Sequence, residues 1–201
     1  MVRALSAALL LAATSASAAP LAMPSFESSI LEIQNSVKTL RTASFKKLSS
    51  DIGPRLDSMS WDLQRAQQET TRMRDELRFL LSRVRSNQPD PNIRWDFQRY
   101  NQYLSVLARD GQWRLSELRS LSAQAQKDSS LVAPAQHLAS AAGWLKNETN
   151  WLTFDVRFAT FDLMRAGLTF ESMDLDRASR DFDQNAQDLK AESDRLLAKV
   201  R

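Results

Sequence analysis

Ile52, Leu56, Met59, Leu63, Ala66, Thr70, Met73, Leu77, Leu80 and Val84 follow one another in alternating steps of four and three residues without a miss. Only an α-helix gathers positions so spaced onto one side, and a stripe this regular needs another helix packed against it in the manner of a coiled coil. A chain organised around that stripe is expected to be all-α, an antiparallel bundle of four to five long amphipathic helices with heptad packing. Only four glycines occur in 201 residues, which argues against sheets joined by tight turns.

The same rhythm and its interruptions divide the chain. Phe26, Ile30, Ile33, Val37 and Leu40 keep the spacing upstream, and Gly53-Pro54 places two helix breakers side by side. The spacing therefore predicts helices over 26–50 and 54–86. Pro89 and Pro91 mark the next boundary, with Asp90 as N-cap and Pro91 in the first helical position of a helix over 91–127. Ile93, Phe97, Tyr100, Leu104, Leu107 and Gly111 hold the pattern, and Leu115 and Leu118 resume after one extra residue. That stutter favours one helix with a bend or a close backbone contact at Asp110-Gly111 over a break there. Ser129 and Ser130 can cap a fourth helix over 131–167, in whose first turn Pro134 is tolerated, and Gly167 ends it. A fifth runs over 170–200 on Leu175, Ala178, Phe182, Ala186, Leu189, Leu196 and Val200, with Glu171, Asp174 and Asp176 near its positive end.

Residues 1–18 read as an export signal: Arg3, an apolar run from Ala4 to Ala13, and the small-x-small pattern Ala16-Ser17-Ala18. The expected mature chain, 19–201, is a single domain in the periplasm or outside the cell. The run is shorter than the roughly 20 residues that cross a bilayer, and no transmembrane segment is expected in the mature chain. The absence of cysteine excludes disulfides, thiolate metal sites and a lipid-bearing cysteine.

Charge narrows the partners. The formal charge of +3, from 27 basic and 24 acidic residues, falls to +2 once Arg3 leaves with the signal. The pI of 9.4 then reflects arginines that never titrate more than a concentrated positive field, and interleaved acids argue against nucleic acid. One histidine, His137, cannot complete the usual metal or triad arrangements. A haem between His137 and Met59, Met73 or Met164 competes with the plainer reading of those methionines as core filler. No catalytic residue, metal site or cofactor is assigned, and an enzyme is not expected.

Trp61-Asp62-Leu63-Gln64-Arg65-Ala66 resembles Trp95-Asp96-Phe97-Gln98-Arg99-Tyr100, with looser copies from Phe161 and Met173. In each, Asp and Arg three apart can pair on a helix. The copies are short and unequally spaced, which favours shared amphipathic composition over a repeat family.

The fourth helix carries two apolar stripes. Trp144, Trp151, Phe154, Phe158 and Phe161 form one, and Leu138, Leu145, Leu152, Ala159 and Leu163 the other. So wide an apolar arc predicts a central helix surrounded by the others, with the aromatic stripe in the core. The alternative is that the aromatics line a pocket or groove. Trp61, Trp95 and Trp113 fall outside or beside their helices' a/d stripes, so some of them are expected to be partly exposed, as a partner surface.

The function expected from these features is that of a non-enzymatic interaction, scaffold or chaperone-like module in the cell envelope, with protein partners and a possible homo-oligomer. A carrier holding a small apolar ligand or cofactor in the bundle is the alternative. Peripheral binding to a membrane surface ranks third, because the acidic bias of the last helix opposes anionic lipid.

Overall fold

Four helices form in order: α1 Phe26–Arg85, α2 Ile93–Gln124, α3 Val132–Arg165 and α4 Thr169–Val200, with a 3-10 turn Ser129–Leu131 before α3. The computed structural model describes residues 26–86 and 90–201, with side chains from Asp51 onward. The export segment, the side chains of the Phe26–Leu40 stripe, and Pro89 lie outside the described residues. The single domain read over 19–201 divides into two compact units, 1–44 and 45–201. Of the first, the structure describes helix from Phe26 onward. The rest of the fold belongs to the second.

The break expected at Gly53-Pro54 is absent, and α1 is continuous with Pro54 inside it. An interior proline removes one backbone hydrogen bond and costs about 3 kcal/mol in a helix left to itself. Here Pro54 is exposed, while Ile52, Leu56 and Met59 around it are buried. Burying each such side chain contributes about 1.5–3 kcal/mol, so packing outweighs the breaker. The rest of the stripe is buried or packed against the core as its spacing demands.

Boundaries elsewhere follow local chemistry. α2 starts at Ile93, two residues after the expected Pro91, and Asp90 accepts the Asn92 amide at 3.0 Å in the turn before it. Arg83, at the end of α1, donates through Nε to Asp90 at 2.8 Å and through Nη1 to Asp96 at 2.7 Å, clasping the hairpin. The hydrogen bond from Arg83 holds the Asp90 carboxyl below the usual carboxylate range, and those it donates to Asp96 and Asp90 raise the guanidinium. α2 passes through Asp110-Gly111 unbroken, and a Cβ on Gly111 would lie 3.4 Å from Asn185 Cβ. The amide of Asn185 donates to the Ala108 carbonyl there at 2.8 Å, which is the close backbone contact. Asp128, not a serine, caps the 3-10 turn by accepting the Ser130 amide. α3 ends in a Schellman motif: Gly167 is left-handed (φ 76°), and the amides of Leu168 and Gly167 reach back to the carbonyls of Leu163 and Met164.

Ion pairs and hydrogen bonds between helices define the arrangement. α1 and α2 are antiparallel, as Arg55–Glu117 and Arg114–Asp62 show, and so are α3 and α4, through Thr149–Asp183 and Thr153–Ser179. The two hairpins lie side by side, α1 parallel to α3 and α2 parallel to α4. Consecutive helices thus alternate in direction, while the hairpins meet through parallel neighbours. Four hydrogen-bonded pairs across the two parallel seams, Arg78–Asp155, Arg85–Asp162, Asn185–Ala108 and Lys199–Ser122, each join residues 77 apart.

Tyr100 and Leu104 of α2 and Ala178 and Phe182 of α4 are all buried. Burial pushes the Tyr100 phenol well above its usual range, and its hydroxyl donates to the Met73 carbonyl at 3.1 Å. Of the four Asp-Arg copies, Asp96–Arg99 forms the local pair at 3.6 Å, whereas Asp62 and Asp162 bond across to Arg114 and Arg85.

Candidate docking surface

Each helix of a four-helix bundle occupies a corner, with one arc turned inward, two flanks against neighbours and one arc facing out. On α3 the inward arc is Leu138, Ala142, Leu145, Leu152, Val156, Ala159 and Leu163, all buried. The flank toward α1 carries Glu148, Asp155 and Asp162 in seven-residue steps. Arg74 donates to Glu148 at 3.0 Å and to Asp155 at 3.2 Å, Arg78 to Asp155 at 3.1 Å and Arg85 to Asp162 at 2.6 Å. The flank toward α4 carries the threonines, Thr149 donating to Asp183 Oδ1 at 2.9 Å and Thr153 to the Ser179 carbonyl at 3.4 Å.

The outer arc is left with the aromatic stripe. Trp144, Trp151, Phe154, Phe158 and Phe161 are all exposed, from 49% at Phe154 to 73% at Phe161. The expectation of a central helix with these rings in the core is therefore wrong. A helix apolar on two sides can bury both only when other helices surround it, and in unit 45–201 α3 is a corner helix flanked by α1 and α4. The inner stripe is mostly alanine, leucine and valine, which lets backbones approach, and the wide rings are turned out.

The rings touch one another. Trp151 and Phe154 meet edge-on with centroids 6.2 Å apart, and Phe154 and Phe158 at 4.8 Å. The Arg74 guanidinium lies 5.9 Å from the Trp151 ring centroid while held by its two carboxylates. At 1.5 Å per residue the strip runs about 26 Å from Trp144 to Phe161. It forms a convex ridge. Exposed charges on α3 are Lys146, Arg157 and Arg165 with the imidazole of His137, and no exposed carboxylate stands on the helix. Among the described residues, Lys146, Arg157 and Arg165 make no ion pair. Sequence reasoning missed these cations. The signal was available in the seven-residue spacing of the acids, which confines every carboxylate of α3 to one flank.

Trp61, Trp95 and Trp113 are also exposed, on α1 and α2. Trp95 and Trp113 share one side of α2, but 18 residues separate them by about 27 Å, and α2 is diagonal to α3. The structure does not bring these three together or join them to the α3 strip. His137 is on the surface, its Nδ1 3.6 Å from Asp57, whereas Met59 and Met73 are buried in the core, so they do not form a ligand pair. Among the described residues, no group of three or more His, Asp or Glu is placed to hold a metal ion.

Open grooves follow the helix seams, one of about 520 Å³ beside Trp144 between α3 and α4 and one of about 590 Å³ between α2 and α4. Beside the second, on the α2–α4 seam, Asn101 Oδ1 and Glu171 Oε2 are buried without a partner in the protein. Ordered water satisfies such acceptors. No described helix is long and apolar enough to cross a membrane. No protein-family model matches the sequence, and neither a curated protein nor a solved structure matches it.

Proposed function

We propose that the protein is a non-enzymatic, exported interaction module of the cell envelope that docks through the outer face of α3, with the rest of the bundle as its rigid support. The observation that carries this reading is the exposed aromatic strip from Trp144 to Phe161 on a helix whose inner stripe already fills its share of the core. Packing gives the strip no role. Contiguous apolar surface of this kind marks interaction sites in proteins that remain dispersed in water. The export signal read in residues 1–18 supplies the location.

The carrier reading has less support, because of the aromatic residues meant to line its pocket only Trp144 borders a groove, an open one, and the other four are exposed on the outer side of α3. A photo-crosslinking phenylalanine analogue at Phe158, compared in cells with the same analogue at exposed Asp181 on the α2 side of α4, tests the docking face. Adducts specific to position 158 are expected. Equal labelling at both positions, or none at either, would remove the proposal.

A further inference from the structure

We propose that the surface engaged by the α3 strip is an anionic phospholipid bilayer, and that the protein lies on it peripherally with the strip in the headgroup region. This inference rests on the docking reading of α3 and names its occupant. Three observations carry it.

The first is shape. A partner helix seats its apolar side in a groove between helices, whereas the strip is the crest of a corner helix. A bilayer interface yields to a ridge, and a helix lying in its plane buries its apolar side about 5–10 Å into the headgroup boundary. The second is composition. Tryptophan at one end, phenylalanine along the rest and arginine or lysine beside them is the make-up of an interfacial helix, whose rings sit at headgroup level while cations meet phosphate.

The third is charge. Every carboxylate of α3 is turned to the α1 flank and bonded to Arg74, Arg78 or Arg85, which leaves the exposed cations Arg157 and Arg165 without an ion pair and places exposed Lys146 at the edge of the α3–α4 groove, where Asp194 is already bonded to Lys190. A second copy docked by a two-fold axis on this face would set those like charges against one another. Lipid phosphates complement them. The acids of α4 do not cancel the effect: Asp174 and Asp181 line the α2–α4 seam, away from α3, Asp183 accepts from Thr149 and Gln187, Asp176 is bonded to Arg180, and Asp194, beside the groove at Trp144, is bonded to Lys190.

The test uses the mature chain with vesicles of phosphatidylglycerol and of phosphatidylcholine, read by vesicle flotation and tryptophan emission. Binding to phosphatidylglycerol at low salt is expected, about tenfold or more weaker on phosphatidylcholine and weakened several-fold by high salt. Phe154→Ser/Phe158→Ser should reduce it about tenfold or more, and Lys146→Gln/Arg157→Gln should reduce it several-fold on the anionic vesicles alone. All four sites are exposed, and unchanged circular dichroism will verify that the variants fold. A chain retaining only Trp151 should shift its emission to the blue on vesicles, and one retaining only Trp61 should not.

No binding to phosphatidylglycerol overturns the inference, as does binding indifferent to Phe154→Ser/Phe158→Ser. Light scattering and the crosslinks at position 158 separate the two levels of failure. Protein adducts, or a dimer abolished by Phe154→Ser/Phe158→Ser, without vesicle binding would overturn the lipid and keep the docking face. Absence of adducts at position 158, to protein or to lipid, would overturn both.

Discussion

α3 and α4 are partners in one hairpin, 34 and 32 residues long, and their outer faces have little in common. That of α4, beyond the exposed Phe170 and Met173 near its start, is mostly polar, with polar groups paired within the helix: Arg180 pairs with Asp176, Lys190 with Asp194, and Gln184 donates to Asp188, each four residues apart. That of α3 has five exposed aromatic rings, exposed cations and no exposed acid. The two helices do the same work inward, each filling the core with one stripe. The outward difference therefore does not come from the fold. The exposed aromatic rings of α3 run from Trp144 to Phe161, whereas the two large apolar side chains exposed on α4 are confined to its first turns.

The largest effect should come from separating the inner and outer stripes of α3. Leu152→Ala removes a fully buried side chain and should cost about 2–5 kcal/mol in urea denaturation, while Phe158→Ser, two turns away on the outer face, should stay within about 0.5 kcal/mol. A comparable loss for Phe158→Ser would mean that the strip is structural and would undo the comparison. Arg74→Ala strips Glu148 and Asp155 of a half-buried partner on the α1–α3 seam and should cost about 1.5–3 kcal/mol by the same measurement. Exposed Arg180→Ala on α4 should cost under about 0.5 kcal/mol, because its pair is local and solvated.

Tyr100→Phe keeps the volume of the α2–α4 layer and deletes one hydrogen bond to Met73, for an expected loss of about 1 kcal/mol. The smallest effect concerns pH. Asp90 has a lowered pKa in the fold, so its contribution is complete above the ordinary carboxylate range near 3.8 and is lost as pH falls through the depressed value. Arg83→Gln should flatten that acid limb of the stability curve, measured by denaturant midpoint against pH, and leave the neutral region nearly unchanged.

Much of the architecture was legible in the residues. The unbroken four-three stripe from Ile52 to Val84 reports a local periodicity, and periodicity survives folding. Gly167 gave the end of α3 because a left-handed turn is a single-residue event. Pro54 misled, since a breaker is a local penalty of a few kcal/mol and the burial of Ile52, Leu56 and Met59 that overrides it is a sum over distant contacts. Asp90 misled by two residues, because Arg83 holds its side chain from another helix.

The candidate site was half visible. Its five rings were named, but their surroundings were misread, because sequence gives the angular position of a side chain about its own helix and nothing about which way that helix is turned. Two apolar stripes on α3 are equivalent in the sequence until neighbours choose one. What the sequence by itself determined is that α3 is helical, that its acids lie on one line and that its rings lie on another. Tertiary structure decided the rotation: the leucine, alanine and valine stripe filled the core, three carboxylates met the arginines of α1, and one rotation satisfied both and turned the aromatic stripe to the outside.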